Sequence, residues 1–213
     1  MGRDRNRLNS VVISTAKVLV NGRALEHESC GNGMLTEIYR THIGDWPKFF
    51  KMDTLSKVGF VASELLLKEC AGTRMEGEEY SSSRAIVLFG TTASLCADRN
   101  YQETIQDPDS YYPSPALFVY TLPNIVTGEI AIRNHYRGET QFIVVENFDA
   151  RQMAFHIQCS FQDNVTESVL TGWIDSTDND DFECFVTLVD RESAADVERL
   201  AVDLDEIMNN LKK

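Results

Sequence analysis

The sequence predicts an α/β fold, a layered and mostly parallel sheet with helices on both faces, in one domain over residues 1–213. The prediction rests on three observations. Short apolar runs, Arg84-Ala-Ile-Val-Leu-Phe-Gly-Thr-Thr, Ala116-Leu-Phe-Val-Tyr-Thr and Gln141-Phe-Ile-Val-Val-Glu, have the pattern of strands buried on both faces. Helix-period segments alternate with them, as βαβ packing requires. Two further strand-like runs, 168–175 and 182–190, close the sequence as a hairpin pair.

Each element has its own warrant. Residues 11–20 (VVISTAKVLV) are β-branched and strand-like. Residues 21–52 carry glycines around Cys30-Gly-Asn-Gly and predict loops with short helical pieces. Asp53 is the expected N-cap of an amphipathic helix, with Leu55, Val58, Ala62 and Leu65 on one face. The polar stretch 72–83 reads as a loop, 96–106 as a short helix, and 107–115 as a loop rich in Pro, Asp and Ser.

The run 116–121 is expected to be a strand leading directly into a helix over 124–136. Pro123 is expected in its first turn and Gly138 at its end. Residues 149–160 predict another helix. Residues 193–213 predict a C-terminal helix starting at Ser193, with a stripe of Val197, Leu200, Leu204, Ile207 and Leu211. Packing of that stripe on its own sheet is the simple expectation, and a partner contact is the alternative.

Composition excludes several function classes. The chain has 213 residues, 43% apolar and 25% charged, enough for a core of ordinary size. No apolar run approaches the ~20 residues of a membrane span. The basic start at residues 1–7 leads into no signal-peptide core, so a soluble, cytoplasmic protein is expected. Net charge is −13, from 20 basic and 33 acidic residues, which argues against nucleic acid and against anionic membranes.

Of five cysteines (30, 70, 96, 159 and 184), none pairs in CxxC spacing, so disulfide frameworks and structural zinc are not expected. Cys70, Cys159 and Cys184 lie in apolar patterns and read as buried. Cys96 follows a strand near where a site would lie. The four histidines show no HxH or HExxH spacing, so no metal and no cofactor are expected. His135 reads as a helix-end residue, and His156 with Cys159 as neighbours on one helix. Trp46 and Trp173 read as core or rim anchors. The acidic loop at 178–181 lacks EF-hand spacing and reads as a solvated hairpin tip.

Four segments, in order, resemble the N-terminal domain of β-ketoacyl-acyl-carrier-protein synthases. Phe50-Lys-Met-Asp-Thr-Leu-Ser-Lys-Val-Gly-Phe-Val-Ala is similar to that family's M-D helix start. Arg84-Ala-Ile-Val-Leu-Phe-Gly-Thr-Thr resembles its second strand and Gly-containing turn. Residues 114–139 resemble its strand, nucleophile elbow and helix, around a T-A-C-S-S-G pattern. Thr140-Gln-Phe-Ile-Val-Val-Glu resembles the strand after it. Together these span about residues 10 to 190, and they imply half of a thiolase-like fold.

The resemblance also implies a departure. With Thr121 on the family's Thr, Pro123 occupies the cysteine's place, and a shift of one residue gives Leu122 or Asn124. None of the three forms a thioester, and condensation needs an activated thiolate. The family's second half, with its His and Lys residues, is also expected to be absent. The resemblance is closest to chain-length-factor proteins and to the short, half-length proteins of aryl-polyene and related pigment pathways. It implies no catalytic residue, an elbow equivalent at Thr121, Leu122, Pro123 and Asn124, and a dimer interface of Leu117, Phe118, Val119, Tyr120, Ile125 and Thr127. The implied partner is an active ketosynthase or a second copy, with acyl carrier protein reached through the ketosynthase. Two alternatives stand beside it: a homodimeric scaffold, and an acyl-transfer enzyme with unrecognised chemistry at Cys96 or Asn124.

Overall fold

The computed structural model describes residues 8–70, 80–109 and 111–213. The basic start and most of the loop expected at 72–83 lie outside them. One seven-stranded sheet organises the chain, in the order β3-β2-β1-β7-β6-β4-β5. Its strands are β1 (Ser10–Ser14), β2 (Lys17–Val20), β3 (Arg23–Ala24), β4 (Arg84–Gly90), β5 (Thr140–Val144), β6 (Ser168–Asp178) and β7 (Asp181–Asp190). The helices are α1 (Gly31–Ile38), α2 (Thr54–Glu69), α3 (Leu95–Glu103), α4 (Pro115–Val119), α5 (Ile125–Asn134), α6 (Ala150–Cys159), α7 (Arg191–Ala194) and α8 (Val197–Lys212).

The layered α/β fold holds, with helices on both faces, but the pairing is mixed. Only β4 with β5 and β4 with β6 are parallel. The pairs β6–β7, β7–β1, β1–β2 and β2–β3 are antiparallel. Tight turns, not helical crossovers, join β1 to β2, β2 to β3 and β6 to β7, and β1 from the start of the chain adds antiparallel to β7. The run 11–20 is two strands rather than one. Asn21 and Gly22, both at positive φ (52° and 76°), then turn the chain into β3. Asn-Gly is a strong hairpin signal, and it stands in the sequence at 21–22.

Alternation along each strand sorts side chains into two cores. Val11, Ile13, Ile86, Leu88, Leu170 and Ile174 face α1, α2 and α5. Val12, Val87, Phe89, Val169, Trp173 and Phe185 face α6 and α8. Both faces are buried, so β4 reads as a continuous apolar run. Gly172 sits where β6 and β7 approach closely: a Cβ there would lie 1.9 Å from the Phe185 carbonyl oxygen.

Helix α2 begins where expected, with the Asp53 carboxylate accepting the Ser56 N–H at 3.0 Å. The C-terminal helix is broken in two. Asp190 caps the single turn of α7 by accepting the Ser193 N–H, and Asp196 caps α8 by accepting the Arg199 N–H. Ser193 is therefore a donor inside a first turn and not the start of the long helix. Leu200, Leu204, Ile207 and Leu211 are buried on the sheet, which settles where that stripe packs.

Candidate functional site

Open α/β sheets place their sites beyond the carboxyl ends of parallel strands. Here those ends belong to β4, β5 and β6. Where the ladder stops after Gly90, the Asp175 carboxylate takes over as acceptor. It receives both backbone N–H groups and both hydroxyls of Thr91 and Thr92, at 2.7–2.9 Å. Gly90 is obligatory beside it, since a Cβ would sit 2.2 Å from the Ile174 carbonyl oxygen.

The β6–β7 tip is exposed but anchored, contrary to the expectation of a merely solvated loop. Asp180 accepts the Asn32 backbone N–H at 2.8 Å, and the Asn179 carbonyl accepts the Thr54 hydroxyl at 3.1 Å. Arg99 donates to the Thr177 carbonyl at 3.0 Å. The tip thus ties the starts of α1 and α2 to α3. Among the described residues, no group of three or more His, Cys, Asp or Glu is placed to hold a metal.

The segment expected to be an interface strand at 116–121 is the short helix α4. Ser114 caps it, Pro115 opens it, and the Leu117, Phe118 and Val119 side chains are exposed. A strand there would need a neighbour, and the sheet already ends at β5. Residues 121–124 form the connection from α4 to α5. The Thr121 carbonyl accepts the Ser94 hydroxyl at 2.7 Å, and Leu122 accepts the Ile125 N–H at 3.0 Å. Asn124 is the N-cap of α5, so Pro123 lies before the helix and not in its first turn. The helix ends at His135, in the left-handed conformation, rather than at Gly138. Gly138 instead passes close to β4, where a Cβ would lie 2.1 Å from the Arg84 carbonyl oxygen.

A strand, turn and helix do follow one another further along the chain. Strand β5 passes through residues 145–149 into α6, and Asp149 caps that helix by accepting the Gln152 N–H at 3.0 Å. Val145 donates to the Gly90 carbonyl, closing the turn against β4. The turn carries Val145, Glu146, Asn147, Phe148 and Asp149, with Phe148 edge-on to Trp173. The sequence signal for it was the apolar run 141–146 followed at once by a capping aspartate.

Of the six residues assigned to an interface, Leu117, Phe118 and Val119 are exposed, and Tyr120 and Ile125 are partly so. Thr127 is not available: it is 1% exposed, and its hydroxyl donates to the Asn124 carbonyl. Leu122 is 49% exposed and extends the apolar row. Behind the row, burial and the neighbouring Glu129 push the Tyr120 hydroxyl up to about 12. Burial also raises Glu129 above the usual carboxylate range, against the opposing pull of Lys48.

The cysteines are dispersed. Cys184 is buried, as expected, whereas Cys70 and Cys159 are only partly so. Cys96 is buried on α3, where desolvation, Asp53 and Asp178 raise its thiol. Desolvation raises Cys184 further. Cys159 and His156 share α6, with His156 against the Phe89 ring. Trp173 is a core residue, and Trp46 packs at the rim under Arg133.

No protein-family model matches the chain, and no curated protein matches it. Solved structures do. The ishigamide ketosynthase/chain length factor superposes with a TM-score of 0.62 at 15% identity, over 86% of this chain and 61% of that one. The ketosynthase ApeO in complex with its chain length factor ApeC, from Xenorhabdus doucetiae, gives 0.51 at 13%, over 87% and 77%. AntDE:AntF, a type II polyketide acyl-carrier protein in complex with its ketosynthase, gives 0.53 at 13%, over 89% and 63%. The chain therefore spans about three-fifths of the first of these, and it has their thiolase-like fold.

Proposed function

We propose that this chain, which has the fold of ketosynthase and chain length factor proteins, is a non-catalytic ketosynthase-like subunit. It pairs with an active ketosynthase in the cytoplasm and helps shape the acyl tunnel in fatty acid- or polyketide-type biosynthesis of the aryl-polyene kind. The observation that carries the reading is the cysteine-free junction. Neither residues 121–124 nor the β5–α6 turn at 145–149 holds a nucleophile able to form a thioester. Cys96 and Cys184 are buried thiols with raised pKa, the opposite of an activated thiolate.

Two further features support pairing. The row of Leu117, Phe118, Val119 and Leu122 exposes apolar side chains at one place on the surface. Strand β5 is the sheet's edge and bears exposed Val144. Acyl carrier proteins are acidic and this chain carries −13, so the basic docking patch for a carrier is supplied by the partner.

The test is co-expression with a ketosynthase encoded beside it, followed by size-exclusion mass measurement. A 1:1 heterodimer is expected. A stable monomer that ignores the ketosynthase overturns the reading, and a symmetric dimer of this chain alone favours a scaffold instead.

A further inference from the structure

We propose that the cavity between the start of α2, α3 and α4 is a binding site for a small ligand bearing an oxyanion, a carboxylate or a phosphate monoester, held by Lys57 with Lys51. The site borders the β6–β7 tip at Asn179 and the apolar row at Leu117 and Tyr120, but its charge comes from lysines that neither of those features uses.

The cavity has a volume of about 400 Å³ and opens at the carboxyl end of the sheet. That is within the usual range for a small-molecule site and in the usual place for one. Lys51 and Lys57 line it together with the amides of Asn32 and Asn100 and the side chains of Tyr120 and Leu117.

Lys57 is the informative group. Its side chain is half-buried, and desolvation lowers its pKa despite the opposing pull of Asp53. Among the described residues its ammonium makes no hydrogen bond or ion pair. It lies over the face of the Phe49 ring, 5.9 Å from the centroid. An ammonium with three donors, partly stripped of water and facing a cavity, is matched by an acceptor that arrives with the ligand.

The sign of the ligand follows from the lining. Asp53 is the single carboxylate on the wall, and it is engaged in accepting the Ser56 N–H at the start of α2. Two lysines therefore line the cavity against one carboxylate. In a chain with net charge −13 this is a local reversal. The segment 40–57 carries Arg40, Lys48, Lys51 and Lys57 against Asp45 and Asp53. Leu117, Met52 and Ala97 give the site an apolar side, which suits a ligand with a short hydrocarbon body.

The experiment is calorimetric titration of the intact chain at low ionic strength with inorganic phosphate, butyl phosphate and butyrate, using chloride as the control anion. Saturable 1:1 binding of at least one of the three is expected. Lys57→Met should weaken it by about tenfold or more, the worth of a charge-assisted contact, and Lys57→Arg should retain it. Asn100→Phe, which narrows the cavity without touching charge, should weaken butyl phosphate and butyrate more than inorganic phosphate. Lys213→Met, outside the cavity, should change nothing. Binding of both phosphates without butyrate assigns a phosphate monoester, and the converse assigns a carboxylate. No saturable binding by any probe, or equal binding by Lys57→Met, overturns the proposal. Failure of this test leaves ketosynthase pairing intact, because that is read by mass and not by anion binding.

Discussion

Asp175 on β6 accepts the Thr91 backbone N–H at 2.7 Å, just where strand β4 runs out of ladder partners. The same carboxylate takes three more donors from Thr91 and Thr92, and Asp175 is 7% exposed. Asp175→Ala would leave the partly buried N–H groups of Thr91 and Thr92 without their acceptor. A loss of about 2–4 kcal/mol is expected, from the cost of unsatisfied donors to a charged acceptor. Urea denaturation measures it, and Asp175→Asn should lose less because one acceptor oxygen remains.

Glu64 on α2 receives Arg133 at 3.3 Å and the Asn134 amide at 2.9 Å, both from α5. The three side chains are largely buried, so removal of Glu64 leaves Arg133 and Asn134 only their backbone acceptors, the carbonyls of Asp45 and Ile130, and no opposing charge from Glu64. Glu64→Ala is expected to destabilise the fold by about 3–5 kcal/mol, whereas a well-packed apolar replacement of the whole network would cost far less. Thermal melts of the single and triple variants distinguish the two.

Glu129 supplies a pH dependence. Burial raises its folded pKa above the ordinary value of 4.5, so folding favours the protonated form. Its contribution to stability is present below 4.5 and is lost as pH rises through the raised folded value. Glu129→Gln mimics the protonated acid. The variant should match the parent near pH 4 and become the more stable of the two towards pH 8. A stability gap that stays constant across this range would count against the assignment.

Phe118 is 51% exposed and lies tilted against the Tyr101 ring, 5.4 Å between centroids. If the apolar row at 117–122 is a pairing surface, Phe118→Glu should leave the melting temperature unchanged. It should weaken association with a ketosynthase by about 2 kcal/mol, roughly thirtyfold in Kd. An analytical ultracentrifugation titration reads the change directly.

Thiol labelling separates the cysteines. Cys30 is exposed at the start of α1, whereas Cys96 and Cys184 are buried with raised pKa. Iodoacetamide at neutral pH should modify Cys30 first and leave Cys96 and Cys184 intact until the chain is unfolded. Rapid native labelling of Cys96 would reopen an acyl-transfer reading.

The sequence by itself determined the buried strands and the capped helices. These are local properties. The runs at 84–90 and 168–174 are apolar enough to be buried on both faces, and Asp53 and Asp149 each precede a helix-period segment. It did not determine the strand order or the helical state of residues 115–119. The run 116–119 is as apolar as β4, and only the sheet's end at β5, with Ser114 and Pro115 starting a turn, makes it helical. Likewise Lys57 is an ordinary helix residue in the sequence. Folding alone brings it beside Lys51, Asn32 and Tyr120, because their separation along the chain says nothing about which side chains share a cavity.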